Sequence, residues 1–446
     1  MLQLVRDLYM ENRSIAGPGF DRALERLGRE LELHVHEFPS GEDAWTWRIP
    51  NAWDVREAYF EADGRRFADF AEHPLHLWSF SLPFRGRVSR DELMRHVTTD
   101  PSRPDTIPFD FRYYERTWGF SLPHDQLAEL TADEYDVVID TVEEPGFLRV
   151  GEHVVPGETG DSILVVAHLC HPGQANDDLA GVAVAVEVAK RLAGTRPRLT
   201  HRFLFVPEQI GTIAYLSRHE ELIDTFRCGM FLEMLGIGQP LALQHSKSGL
   251  VAIDRAAVLS LRESGVPYLE GRFLEVIVND EQVLDGPGVD IPTISLSRAT
   301  PPVQTPDSMA PNFHTGLPYP EYHTSRDTPD ILGEEHLIEA AAVVERTLRI
   351  ADADFVPRRL YRGPVHLSRY GVWVDWRVDP ELNEKIHHLM WCLEGDKTIS
   401  SIALEVGLSF DQVNDYVLKL VDAGLVELLD QAEAAEQRQA PGAPTV

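Results

Sequence analysis

The sequence predicts an α/β protein: a sheet with helical layers, preceded along the chain by a small β-rich region and followed by a helical module. Three observations lead there. Residues 163–167 read Ile-Leu-Val-Val-Ala, a run too short for a helix and β-branched enough for a buried parallel strand. From about residue 130 to 351 such runs alternate with helical patterns, as expected of a sheet carrying helices. The texture on either side differs, with aromatic and β-rich runs broken by turns over 45–123 and helical periodicity alone over 380–430.

Composition narrows the class. A chain of 446 residues suggests about two to four domains. With 43% hydrophobic and 25% charged residues it reads as globular. The net charge of −31 argues against nucleic acid, which needs a concentrated basic surface. No run reaches the roughly 20 apolar residues of a membrane span, and the first fourteen residues have no apolar core of signal-peptide length. Cys170, Cys228 and Cys392 are an odd number at spacings that suggest no disulfide framework. A soluble cytoplasmic protein is expected.

In chain order, residues 1–38 read as two helices packing on the α/β domain, the second over 19–31, before a break at Phe38-Pro39-Ser40-Gly41. Residues 39–130 read as a small β-rich inserted domain whose aromatics, including Tyr113, Tyr114, Trp118 and Phe120, suit a core; the alternative is that 116–120 faces a substrate cleft. Residues 131–370 form the α/β domain, with strands expected at 135–140, 146–156, 163–167, 202–206, 230–234 and 292–297. Helices are expected at 178–192, 211–219 and 335–350. Residues 299–320 carry six prolines and read as a long irregular loop of the kind that is often functional. Residues 378–430 read as helix, turn, helix and strand, and 431–446 as a disordered tail.

Polar groups collect where the strands end. His168 closes the 163–167 run, and Cys170, His171, Asp177 and Asp178 fill the turn before the next helix. Taken alone, that turn is explained by a capped helix, since a carboxylate there meets free N–H groups and the positive end of the dipole. The same pattern recurs, however. Glu208 and Gln209 follow the 202–206 run, Glu233 interrupts the apolar Phe231-Leu232-Glu233-Met234, and His323 lies in 321–327. In open α/β sheets the crevice at the carboxyl ends of strands is where ligands bind. Two histidines with two or three carboxylates suit zinc, and a further free Glu would be placed to take a proton from attacking water.

This order of motifs resembles the zinc aminopeptidases of the co-catalytic type. The match runs over about 135–350, and 174–181 (Gln-Ala-Asn-Asp-Asp-Leu-Ala-Gly) is its most specific piece. The resemblance implies a phosphorylase/hydrolase-like mixed sheet with helices on both faces. It also implies metal ligands at His168, Asp177, Glu233 and His323, with Glu208 as general base. Residues 279–281 and 288–292 are similar to the family's Ser-Asp segment and its Gly-Ile-Pro strand. Three positions depart from the pattern. Cys170 replaces an aspartate that orients the ligand histidine, Gln209 replaces a ligand glutamate, and Glu233 replaces the commoner aspartate. The expectation is one zinc held by His168, Asp177 and Glu233. A second site, involving Asp177 and His323, is weak, empty or completed by His171 or Gln209. A single metal bound by Glu208 itself, with no base assigned, is the alternative. Asp280, Glu281 or Glu321 could hold a substrate amino group; Tyr322 belongs to the late Tyr-His motif, and Asp327 could support His323.

Residues 399–405 and 409–421, with the 424–428 strand, resemble a winged-helix module. Its second helix carries Asp411, Asp415 and Asp422 against Lys419, the wrong charge for reading DNA, so packing, self-association or docking of a protein partner is expected. The inserted β region, the His-Leu-Cys-His-Pro variant and the winged helix together resemble a bacterial aminopeptidase-like subgroup often labelled as polysaccharide-biosynthesis proteins. The function implied is hydrolysis of an amide bond, an aminopeptidase acting on peptides with a free N-terminus. The alternatives are N-deacylation of an amino sugar or small amide, and a scaffold whose catalytic site has decayed.

Overall fold

The computed structural model describes residues 1–299 and 317–430. Most of the expected 299–320 loop and the expected disordered tail lie outside the described residues. Two compact units are formed, Met1–Lys247 with Pro267–Ala342, and Ser248–Val266 with Val343–Val446.

The first unit is built on an eight-stranded mixed sheet. Its order is His34–Pro39, Phe147–Val155, Thr200–Val206, Ser162–His168, Phe226–Leu232, Thr293–Arg298, Leu241–Gln244 and Tyr268–Gly271. The four central strands are parallel, while the pairings that flank them are antiparallel. Every residue of Ser162–His168 is buried, which accounts for its unbroken apolar run. From this strand the chain crosses through the Gly181–Leu192 helix to Thr200–Val206 on one side. It then returns through Ile210–Arg218 to Phe226–Leu232 on the other. Right-handed crossovers running in opposite directions place their helices on opposite faces of the sheet. The carboxyl end of Ser162–His168 is thereby the point where strand order reverses, the usual place for a ligand crevice.

A second sheet of four antiparallel strands joins Arg65–Phe67, Ala52–Ala62, Glu134–Glu144 and Phe84–Ser89. Here the structure differs from the sequence reading, which grouped the 135–140 strand with the α/β elements. Glu134–Glu144 pairs with Ala52–Ala62 and Phe84–Ser89 instead, and Phe147–Val155 enters the main sheet directly after it. Local alternation marks a strand but not its partner. Three short strands of the main sheet are not among the expected ones. His34–Pro39 ends in a proline that only an edge strand accepts, and Leu241–Gln244 and Tyr268–Gly271 are four residues each. Among the described residues no helix is long and apolar enough to cross a membrane.

The second unit contains the helices Pro380–Trp391, Ile399–Val406 and Phe410–Asp422 and an antiparallel pair, Val356–Arg359 with Val426–Leu429. The helix starts follow from local chemistry. Asp379, Thr398 and Ser409 each accept a hydrogen bond from a backbone N–H three residues on, and the Gln412 side chain accepts one from the Ser409 N–H. Gly407 closes the middle helix in the left-handed conformation.

One glycine sets how closely a helix can approach the strand ends. A Cβ on Gly181 would lie 2.2 Å from the Leu232 carbonyl oxygen and 2.9 Å from Glu233 Cα. Gly181→Ala is expected to cost about 1–3 kcal/mol in chemical denaturation, as overpacking does, because backbone rather than a flexible side chain would have to move.

Candidate metal centre

Most side chains at the centre are delivered by the end of a buried strand or by the turn that follows it, while His323 comes from a turn far along the chain from any strand of the main sheet. His168 is the last residue of its strand and is fully buried. Glu208 lies two residues beyond Thr200–Val206, and Glu233 directly follows Phe226–Leu232. The chain after His168 runs through a turn into a wide helical segment, Ala175–Ala180, interrupted at Asp177 (φ −105°, ψ 92°), before Gly181–Leu192 begins. The helix predicted from residue 178 therefore becomes regular three residues later, and the irregular stretch turns Asp177 toward the strand ends.

Two groups of three share Asp177. His168 Nε2 lies 3.2 Å from both Asp177 Oδ1 and Glu233 Oε2. On the other side His323 Nε2 is 3.0 Å from Asp177 Oδ2, and His171 Nδ1 is 3.3 Å from Asp177 Oδ1. His171 Nε2 faces Glu208 Oε2 at 3.0 Å. The site residues expected at His168, Asp177, Glu233, His323, His171 and Glu208 are thus found side by side. Gln209 is placed differently, its backbone N–H donating to Asp280 Oδ1 at 3.0 Å.

The residues fit a metal on two physical grounds. Both ring nitrogens of His168 are buried without a hydrogen bond among the described residues, although Nε2 stands beside two carboxylates. Leaving such a group unpaired is costly. Zinc bonds of about 2.0–2.2 Å to N and O imply tetrahedral ligand–ligand edges of about 3.3–3.6 Å, close to the 3.2 Å separations around His168.

The titratable groups at the centre act strongly on one another. Burial would raise the Asp177 carboxyl, but His171, His168 and His323 around it hold it well below the usual carboxylate range. Burial alone would lower His168 and His171, yet Asp177 and Cys170, with Glu233 for His168, carry both imidazoles well above their ordinary value. Glu233 is raised by burial against the pull of His168. For Glu208 burial again works upward, and the hydrogen bond from His171 together with the charges of His171 and His168 more than offsets it, so its carboxyl sits below its ordinary value.

A surrounding layer fixes these groups. Asp327, whose carboxyl burial pushes up to about 7, accepts from the backbone N–H of Asn176 at 2.7 Å and of Asp177 at 3.1 Å, and from Tyr319 Oη at 2.8 Å. It positions Asp177, whereas support of His323 was expected. Asn279 Nδ2 donates to Glu233 Oε2 at 3.0 Å. Asp280 is fully buried, pushed up to about 7 by burial, and also accepts from Thr212 at 2.5 Å, so it anchors the turn carrying Glu208. Glu281 is equally buried, pushed up to about 8, and holds the Asn279 N–H. Cys170 Sγ accepts from the Glu208 N–H at 3.1 Å. Tyr322 stacks on His323 with ring centroids 3.9 Å apart, and Glu321 is half-buried beside it.

Backbone strain marks the same places. Gln209, Met234 and His323 adopt φ of +55°, +51° and +54°, although none is glycine. Two follow the site carboxylates Glu208 and Glu233 directly, and the third is itself a site residue. Such strain persists only where surrounding structure enforces it.

Sequence reasoning missed two features. The first is Arg13, fully buried, with Nη1 2.7 Å from Asp178 Oδ1. It also donates to the carbonyl oxygens of Leu8, Leu169, His171 and Gln174. Asp178 Oδ2 accepts in turn from the His171 N–H at 2.9 Å. The second is an aromatic wall from the inserted region. Phe109 lies 5.2 Å, centroid to centroid, from both His171 and His323, and its N–H donates to the His323 carbonyl. Phe111 and Tyr113 continue the wall, and burial, with Cys170 and Glu208 nearby, keeps the Tyr113 hydroxyl well above the ordinary phenol range. An arginine in an otherwise helical N-terminus carried no signal; the dense aromatics of 109–114 did, but they suited a core equally well.

Arg13→Met would leave Asp178 charged and unpaired in the interior. It is expected to destabilise the chain by about 3–5 kcal/mol in urea denaturation. Arg13→Met combined with Asp178→Asn should recover part of that loss.

The chain is similar to known proteins in sequence and in fold. Residues 2–354 match the family model described as a domain of unknown function, DUF4910. A Clostridium acetobutylicum protein named for polysaccharide biosynthesis and an aminopeptidase-like domain is 34% identical over 297 residues, 66% of this chain and 68% of its own. A crystal structure of a Clostridium acetobutylicum protein named as a peptidase superposes with a TM-score of 0.84 at 27% identity, over 96% of both chains. A zinc aminopeptidase from Bacillus subtilis superposes with a TM-score of 0.55 at 13% identity, over 78% of this chain and 93% of its own, a likeness of fold alone. By the match over residues 2–354, and with a peptidase-like α/β fold beneath it, the chain belongs to the DUF4910 family.

Proposed function

We propose that this chain is a metal-dependent amide hydrolase, an aminopeptidase acting on peptides with a free N-terminus. The observation that carries the reading is the pair of ligand groups that share Asp177, with Glu208 beside them. The names of the two Clostridium relatives, one aminopeptidase-like and one a peptidase, support it. Zinc suits the donor set, and when bound it would supply Lewis-acid polarisation of the scissile carbonyl. His168, Asp177 and Glu233 would hold one ion. His171, Asp177 and His323 would hold a second, with His171 Nδ1 serving where Gln209 cannot.

Glu208 is the general base in this reading. Its side chain is 29% exposed, while those of His168, Asp177 and Glu233 are all but buried, so it faces the opening from which water arrives. His171 holds Oε2, which leaves Oε1 to take the proton of the attacking water and return it to the departing amine. Asp280 and Glu281 are buried against backbone, so Glu321 is the carboxylate left to meet a substrate ammonium group. In the second unit, the Ile399–Val406 and Phe410–Asp422 helices and the two-stranded ribbon support a winged-helix reading. The acidic Asp411, Asp415 and Asp422 favour protein docking over DNA.

Glu208→Gln keeps shape and removes the proton acceptor. It is expected to lower kcat by about 10²–10⁴-fold with zinc content by elemental mass spectrometry unchanged; undiminished hydrolysis would overturn the assignment of the base. On a substrate panel, free-N-terminal peptides should be cleaved and their N-acetylated forms spared. Turnover confined to N-acylated amino sugars would replace the aminopeptidase reading with a deacylase.

A further inference from the structure

A second and separate set of metal-binding side chains lies in the C-terminal unit. His388 and Cys392 are one turn apart at the end of the Pro380–Trp391 helix, so they share a face. Glu405 reaches the same point from the Ile399–Val406 helix. Its Oε1 is 3.5 Å from Cys392 Sγ and 3.5 Å from His388 Nε2. For the imidazole that distance is too long for a good hydrogen bond. Both distances match the tetrahedral edges of a zinc site, about 3.3–3.6 Å from bonds of about 2.3 Å to sulfur and 2.0–2.2 Å to nitrogen and oxygen. The other carboxylate oxygen, Oε2, accepts from Lys397 Nζ at 2.6 Å. Lys397 therefore fixes the Glu405 carboxylate with Oε1 turned toward His388 and Cys392, as partners beyond the ligands do in metal sites.

We propose that His388, Cys392 and Glu405 form a transition-metal site, taking zinc in preference to magnesium or calcium, that clips these two helices together across the turn at Gly395. A thiolate, an imidazole and one carboxylate form a borderline-soft donor set, whereas the hard cations require mostly oxygen ligands. Binding replaces the Cys392 S–H bond with a sulfur–metal bond and releases one proton to solvent. Three protein ligands leave a fourth position open. His388 is 55% exposed and Glu405 38% exposed, so that position is reachable from solvent. The site is independent of the amide-hydrolase reading, since it shares no residue with it.

The test uses the full chain without a polyhistidine tag, stripped by a chelator and titrated with Co²⁺. The expected result is a thiolate-to-cobalt absorption band whose final amplitude corresponds to one cobalt-bound thiolate per chain, with any cobalt taken up by the ligands around Asp177 adding none to it. It should persist in Cys170→Ser and disappear in Cys392→Ser. His388→Gln, exposed enough to leave folding intact, and Lys397→Ala should each weaken cobalt binding by about 10-fold or more. No band in the wild-type chain, or a band that survives Cys392→Ser, would overturn the proposal.

Discussion

The buried pair of Arg13 and Asp178 is the constraint on which the centre depends. A guanidinium and a carboxylate with no exposed surface must satisfy one another and their remaining hydrogen-bonding capacity within the protein. Arg13 does so by binding the carbonyl oxygens of Leu169, His171 and Gln174, which belong to the turn between His168 and Asp177. Asp178 binds the His171 N–H within the same turn. The turn is thus held from both ends by a charged pair that tolerates little displacement. His171 and Asp177, which project from it, inherit that rigidity. Net stabilisation by such a pair is small, so its value lies in geometry.

The rest of the first unit completes what this pair begins. Parallel register sets His168 beside Val206, which brings Glu208 next to the His168 turn, and the contact at Gly181 brings the helix N-terminus against Glu233. Asp327 and Asp280 work as buried acceptors, one for the N–H of Asp177 and the other for that of Gln209. Residues 107 and 109 of the inserted region hydrogen-bond to the His323 segment, which ties the aromatic wall to a candidate ligand. The centre also concentrates two ring nitrogens of His168 without a hydrogen bond among the described residues and three strained residues at one spot.

Much of this was legible in the residues. The buried strands announce themselves as apolar runs, and polar side chains at their ends have no structural reason to stand there, which singled out His168, Glu208 and Glu233. What stayed hidden has a common cause: it depends on partners distant in sequence. Nothing near Arg13 shows that it will meet Asp178, and the alternation in Glu134–Glu144 does not say which sheet it joins. Short edge strands such as Tyr268–Gly271 carry too few residues for a pattern. Cys170 was read as a loss of orientation for His168. In the structure its sulfur accepts from the N–H of Glu208 and also stands beside the rings of His168 and His171.

The central claim is that these side chains are arranged around a metal. Anomalous diffraction at the zinc edge, from crystals of tag-free protein grown with zinc, tests it most directly. The account predicts a peak enclosed by His168 Nε2, Asp177 and Glu233, with a second between Asp177, His171 and His323 if both sites fill. The absence of any anomalous density at Asp177 would contradict it.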